Sequence, residues 1–187
     1  FYHQKMKSLM VITLGLLMQL ASAQEFKVQP SNSKLSVTGT STLHDWECVV
    51  ETFKGSITAQ IENNQIVAID KFNFQFQVED LKSGKSAMDK KTYEALKEKK
   101  NPVISYRGNA VKINDHTATF SGTMNIAGTK KELTTKVKID YSNGKMSLSG
   151  KKDFKLTDFN VEPPTAMFGT IKTGDEVAIH YNLQLNK

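Results

Sequence analysis

From Lys71 to Glu79, within the stretch Lys71–Asp80, the chain alternates strictly between polar and apolar side chains. Phe72, Phe74, Phe76 and Val78 take every second position, with Asn73, Gln75 and Gln77 between them. A strand sends successive side chains to opposite faces, so this segment carries one apolar and one polar face. Three phenylalanines on one strand face form a large apolar area. Either other side chains or a ligand must cover it.

The same period recurs along the chain. Leu35 and Val37 share a face of Lys34–Gly39. Trp46, Cys48 and Val50 alternate with Glu47 and Glu51, and Ile57, Ala59 and Ile61 continue the pattern. A long strand is expected over Ile66–Asp80, bent near Asp70. Further strands are expected at Val103–Arg107, Asn109–Ile113, Thr117–Ile126, Leu133–Tyr141, Lys145–Gly150 and Asp175–Leu185. In the last of these, Val177, Ile179, Tyr181, Leu183 and Leu185 oppose Ala178, His180, Asn182 and Gln184. Asn63-Asn64, Asn114-Asp115, Ala127-Gly128 and Asn143-Gly144 supply the turns, the last being a strong hairpin signal. One helix interrupts the strands. Ser86 with Asp89 reads as a capping box, Met88, Thr92, Ala95 and Leu96 form a modest apolar stripe, and Asn101-Pro102 stops it. Its outer side is charged, which suits a lid across one end of a sheet. Thr157–Thr173 is irregular, with Pro163-Pro164 and several apolar residues. About eight antiparallel strands and one helix give a mainly β fold, either an up-and-down barrel or a sandwich.

The 187 residues suit one domain. Glycines are scattered at turn-like intervals and proline is scarce. The N-terminus reads as a secretory leader: Lys5 and Lys7, the apolar run Leu9–Leu20, then Ala21-Ser22-Ala23. Met6 is the expected start, with 1–5 as upstream read-through, cleavage after Ala23, and a mature domain over 24–187. No cysteine stands at the cleavage point, which argues against a lipid anchor there. Export to the periplasm follows, with release from the cell as the alternative. Loss of Lys5 and Lys7 lowers the formal charge from +6 to +4. The lysine pairs Lys90-Lys91, Lys99-Lys100, Lys130-Lys131 and Lys151-Lys152 read as a solvated surface, or as attraction to an anionic membrane surface. No aromatic-basic motif points to nucleic acid. Cys48 is the single cysteine, so no intrachain disulfide forms, and its parity with Trp46 marks it as a buried apolar residue.

Several segments together resemble the YceI-like family, exported proteins with a lipocalin-like barrel that bind polyisoprenoid or other long amphiphilic lipids. They are Pro30 and Ser33, Leu43-His44, Phe53-Lys54-Gly55, Pro102-Val103-Ile104-Ser105-Tyr106, the run Gly122 to Lys130, Asp158-Phe159, and Gly174-Asp175-Glu176-Val177. Asn32 stands where the family often has histidine, and Asn160 where it commonly has glycine. The resemblance spans nearly all of 24–187. It implies a closed barrel with the helix at one end, whose interior holds an isoprenoid, quinone-like or fatty chain for carriage or storage. Family members are often paired, but no pattern here marks a homodimer surface.

Periodicity alone shows an apolar interior and does not separate a cavity from a packed core. The candidate lining is the large apolar set of inward parity: Trp46, Phe72, Phe74, Phe76, Phe120, Met124, Ile139, Tyr141, Val177, Ile179 and Tyr181. Phe159 and Phe168 of the irregular segment are placed at the mouth. His44-Asp45-Trp46 is the most chemical-looking trio, with Ser41 nearby, but no Gly-x-Ser-x-Gly elbow surrounds it. His44, His116 and His180 lack ligand-like spacing. No catalytic or metal role is assigned, and no cofactor beyond a bound lipid. Two other readings stay open: an exported structural or stress-associated module with a filled core and a protein partner, and a lipid-modifying enzyme using His44.

Overall fold

The computed structural model describes residues 22–187. Of the expected leader only Ser22 and Ala23 fall within them, at the start of the first strand. The strands are β1 (Ser22–Val28), β2 (Lys34–Ser41), β3 (Trp46–Val50), β4 (Lys54–Glu62), β5 (Gln65–Gln77), β6 (Leu81–Lys82), β7 (Val103–Asn114), β8 (Thr117–Ile126), β9 (Thr129–Ser142), β10 (Lys145–Lys155), β11 (Thr165–Ala166) and β12 (Ile171–Asn186). The helix α1 spans Ser86–Ala95 between β6 and β7. The hairpin turns take left-handed backbone at Asn63-Asn64, Asp115, Ala127-Gly128 and Asn143-Gly144, and at all but Ala127 an Asn, Asp or Gly tolerates it.

Eight antiparallel strands form a ring in the order β1, β4, β5, β7, β8, β9, β10, β12. The ring closes where Lys27 faces Asn186 and Val28 faces Leu185. β12 is the longest strand and serves two partners on one side. Its end meets β1, while Thr173–Asn182 pairs β2, which carries β3 and then β6. Closure is uneven elsewhere. β10 pairs β9 only from Lys145 to Ser149, so the two strands splay beyond that point.

One end of the barrel is solid. Phe26, Ile57, Met146 and Leu185 are completely buried there. Tyr141 packs edge-on against Phe26 with centroids 5.6 Å apart. Each such side chain contributes about 1.5–3 kcal/mol on burial, so this end supplies much of the stability that a chain without disulfides needs. The Asp70 bend is a β-bulge: Lys71 faces Thr58 and Ile69 faces Ala59, leaving Asp70 without a partner.

Four details differ from the sequence expectation. β5 ends at Gln77, because Val78 turns into a short 3-10 turn, fully buried, with its N–H donated to the Pro102 carbonyl at 2.8 Å. The two strands expected over Val103–Ile113 are one strand, bulged between Arg107 and Ala110. Ser86 does not cap α1. The carboxylate of Asp89 instead accepts from the Ser83 N–H at 2.8 Å and the Ser83 hydroxyl at 2.6 Å, fastening the loop before the helix. Finally, Gly39, Gly55, Gly108, Gly122, Gly150 and Gly174 lie within strands rather than turns.

Candidate functional site

The other end of the barrel is hollow. β2, β3, α1 and the segment 156–173 surround a cavity of about 460 Å³, within the range of small-molecule sites, about 300–1,000 Å³. Trp46, Cys48, Met88, Phe154 and Val177 are among its walls. A second chamber of about 100 Å³ lies deeper, against Phe74, Phe120, Met124, Leu133 and Tyr181. Phe76, Ile104 and Ile179 line both, so the chambers abut at these three side chains. The linings are almost wholly apolar. Their charged members are Lys85 and Lys91 at the mouth and Lys54 and Lys152 on the inner chamber, with no carboxylate among them.

The hollow persists because aromatic rings lie against the wall instead of filling the centre. Gly39 faces Trp46 across the β2–β3 ladder, Gly55 faces Phe74, Gly108 faces Phe72, and Gly150 faces Tyr181. A Cβ on any of these glycines would overlap the ring opposite it. Glycine within a strand marks a close approach of this kind, and the facing aromatic covers the bare backbone. The Tyr181 ring thus crosses under β10 and reaches Thr135 of β9, hydroxyl to hydroxyl at 3.1 Å, bridging the splay between β9 and β10. Tyr106 donates to the carbonyls of Phe120 at 3.1 Å and Leu133 at 2.8 Å. Burial pushes both tyrosine hydroxyls above their ordinary pKa.

Of the residues proposed for the lining, Trp46, Phe74, Phe76, Phe120, Met124, Val177, Ile179 and Tyr181 border a chamber. Five do not. Phe72 is wedged behind them, with ring centroids 5.0 Å from Tyr106 and Phe120 and Gly122 beneath it. Ile139 and Tyr141 have the inward parity but belong to the solid end, since parity gives the face and not the depth. Phe159 is buried rather than at the mouth, and props Phe154 edge-on at 5.4 Å. Phe168 lines neither chamber but stands at the mouth's edge as expected, fully exposed on the turn between β11 and β12 beside Met167, which borders the larger chamber. The pattern missed Cys48, Ile104 and Phe154 as lining residues. The helix stripe was a usable signal, because Met88, Thr92, Ala95 and Leu96 all face the larger chamber. Asn160 takes the left-handed conformation that the glycine common in the family would supply, with φ 54°.

The polar trio makes main-chain contacts. The Ser41 hydroxyl donates to the His44 carbonyl at 2.7 Å, and the His44 ring bonds the carbonyl of Asp45 at 2.7 Å. His116 pairs with the Asp140 carboxylate and His180 with the Thr38 hydroxyl. Among the described residues, no group of three or more His, Cys, Asp or Glu is placed to hold a metal ion.

Geometry and lining together define a half-hollow β-barrel with an apolar interior opening at one end. Residues 26–185 match the YceI-like domain, and the chain belongs to that family. Solved structures share the fold. The crystal structure of BcnA from Burkholderia cenocepacia is 16% identical, with a TM-score of 0.71 over 84% of this chain and 98% of that one. A polyisoprenoid binding domain from Saccharophagus degradans, implicated in plant cell wall breakdown, is 10% identical, with a TM-score of 0.63 over 86% and 97%. The YceI protein of Campylobacter jejuni is 16% identical, with a TM-score of 0.61 over 74% and 82%. Comparison with curated protein sequences finds no match.

Proposed function

We propose that this protein is an exported lipid carrier or store that holds a long amphiphilic chain, isoprenoid or fatty, inside its barrel. The observation that carries the reading is the pair of abutting apolar chambers, which leave unfilled space in a barrel whose other end is packed solid. An empty apolar cavity costs stability, roughly 24 cal/mol per Å³ in core-truncation series, so a retained hollow favours a guest. A tail gains about 0.8 kcal/mol for each methylene buried, or about 8 kcal/mol gross for ten, before ordering costs. The polyisoprenoid binding domain among the fold relatives supports an isoprenoid as the guest class. Lys85 and Lys91 at the mouth, with no carboxylate in the lining beside them, favour an anionic headgroup. Binding, rather than catalysis, is the role this geometry supports, and the leader-like N-terminus supports a periplasmic location.

A fluorescent isoprenoid titrated into delipidated protein tests the reading. Wild type should saturate with an emission gain. Val177→Trp, which fills the larger chamber, should weaken binding about tenfold or more. Equal binding by both proteins would place the probe elsewhere and remove the support. The packed base is the one feature that favours the scaffold alternative, and absence of any uptake by wild type would leave that reading standing.

A further inference from the structure

Among the described residues, the large hydrophobic side chains most exposed to solvent are Phe168 at 110%, Met167 at 67% and Leu43 at 65%. The three gather at one place. The Thr42 N–H donates to the Lys172 carbonyl at 3.0 Å, and the Thr42 hydroxyl to the Thr170 carbonyl at 3.2 Å, so the loop carrying Leu43 is tied to the turn carrying Met167 and Phe168. Leu43 and Met167 also border the larger chamber. The patch is therefore a rim of its mouth.

The turn is built against local preference. Met167 and Phe168 both take left-handed backbone, with φ of 51° and 55°. Bulky side chains disfavour that region, and other hairpins here fill it with Asn63-Asn64 or Asn143-Gly144. Burial gives no compensation, because both side chains stand in water. Strain of this kind gathers at functional positions. The charged groups bordering the same mouth are Lys85 and Lys91, both exposed, at the start and middle of α1.

We propose that this rim docks reversibly on an anionic phospholipid bilayer. Leu43, Met167 and Phe168 enter the interface, and Lys85 and Lys91 lie against the headgroup phosphates. Apolar wedges beside a basic rim are the chemistry of an interfacial anchor, and binding of this kind depends on anionic lipid. A second copy fits the face less well, since pairing two mouths would bring like-charged lysines together. Docked in this way, the mouth opens toward the acyl region and a guest transfers without crossing water. That purpose rests on the carrier reading, whereas docking is measurable with no guest present.

Co-sedimentation with phosphatidylcholine vesicles, with and without phosphatidylglycerol, tests it. Wild type should bind the phosphatidylglycerol vesicles selectively, and lose binding as salt rises from about 0.1 M to about 1 M and the screening length falls from about 10 Å to about 3 Å. A Met167→Ser, Phe168→Ser double variant and a Lys85→Glu, Lys91→Glu double variant should each weaken binding about tenfold or more. Both should keep the far-UV circular dichroism and the cooperative urea unfolding of wild type, which shows the barrel intact. Three results overturn the proposal: binding indifferent to phosphatidylglycerol, binding unchanged in the serine variant, or a dimer in analytical ultracentrifugation that the serine variant abolishes. If wild type binds vesicles but takes up no probe, the carrier reading fails while docking stands.

Discussion

Trp46 and Gly39 show how single residues keep the interior open. The chain has one tryptophan, and its ring lies flat only because Gly39 opposite lacks a side chain. Gly39→Ala should lift the indole into the larger chamber, shifting its emission and lowering probe affinity; unchanged emission and affinity would refute the role given to the glycine. Phe72 and Phe76 share a strand and a face but differ in duty. Phe72→Ala should cost about 3–5 kcal/mol in urea denaturation, as expected for a buried ring. Phe76→Ala should cost less and change probe affinity more, since Phe76 separates the two chambers. Cys48 reports on the same wall. Burial pushes its thiol up to about 11. At pH 8 only about one molecule in a thousand is then thiolate, and iodoacetamide should label native protein far more slowly than urea-unfolded protein. Equal rates would show the thiol to be open to solvent. Alternation gave the faces of these residues correctly. It could not give their depth along the barrel, which is why Ile139 and Tyr141 share a parity with Ile179 and Tyr181 yet lie in the packed end.

The regular elements follow from short-range chemistry, and the mouth does not. β8 begins and ends at the expected residues, Thr117 and Ile126, because Asp115 and Ala127-Gly128 set the turns on either side. The helix was readable from its stripe and from the proline after it. The segment 156–173 was not, because long-range polar contacts hold it. Asp175, one residue before the β12 segment that pairs β10, accepts from the Thr157 hydroxyl at 2.6 Å and the Thr157 N–H at 2.9 Å. Those two bonds, the hydroxyl first, hold its carboxyl below the usual value near 3.8. A depressed carboxylate stabilises the folded form above the unfolded pKa, and that contribution fades as pH falls through the lower, folded value. Acidification below about pH 4 should therefore loosen the turn at Thr157. The Thr157 amide resonance should move in that window in wild type and stay still in Asp175→Asn. Movement centred at or above the usual carboxylate value would contradict the assignment.

For the molecule as a whole, the division into a packed base and an open mouth decides what it does. The sequence pointed to a barrel or a sandwich, and the family resemblance pointed to the barrel. Neither could say how far the interior was filled, since packing and emptiness use the same apolar alphabet. The strand glycines opposite aromatic residues were the available signal, but pairing register is needed to read it. The most direct check is native mass spectrometry of the protein, purified without detergent. A population heavier than the bare chain by one long-chain amphiphile is expected, released on unfolding and absent or sharply reduced in Val177→Trp. Bare protein alone, with no uptake of added isoprenoid, would contradict it.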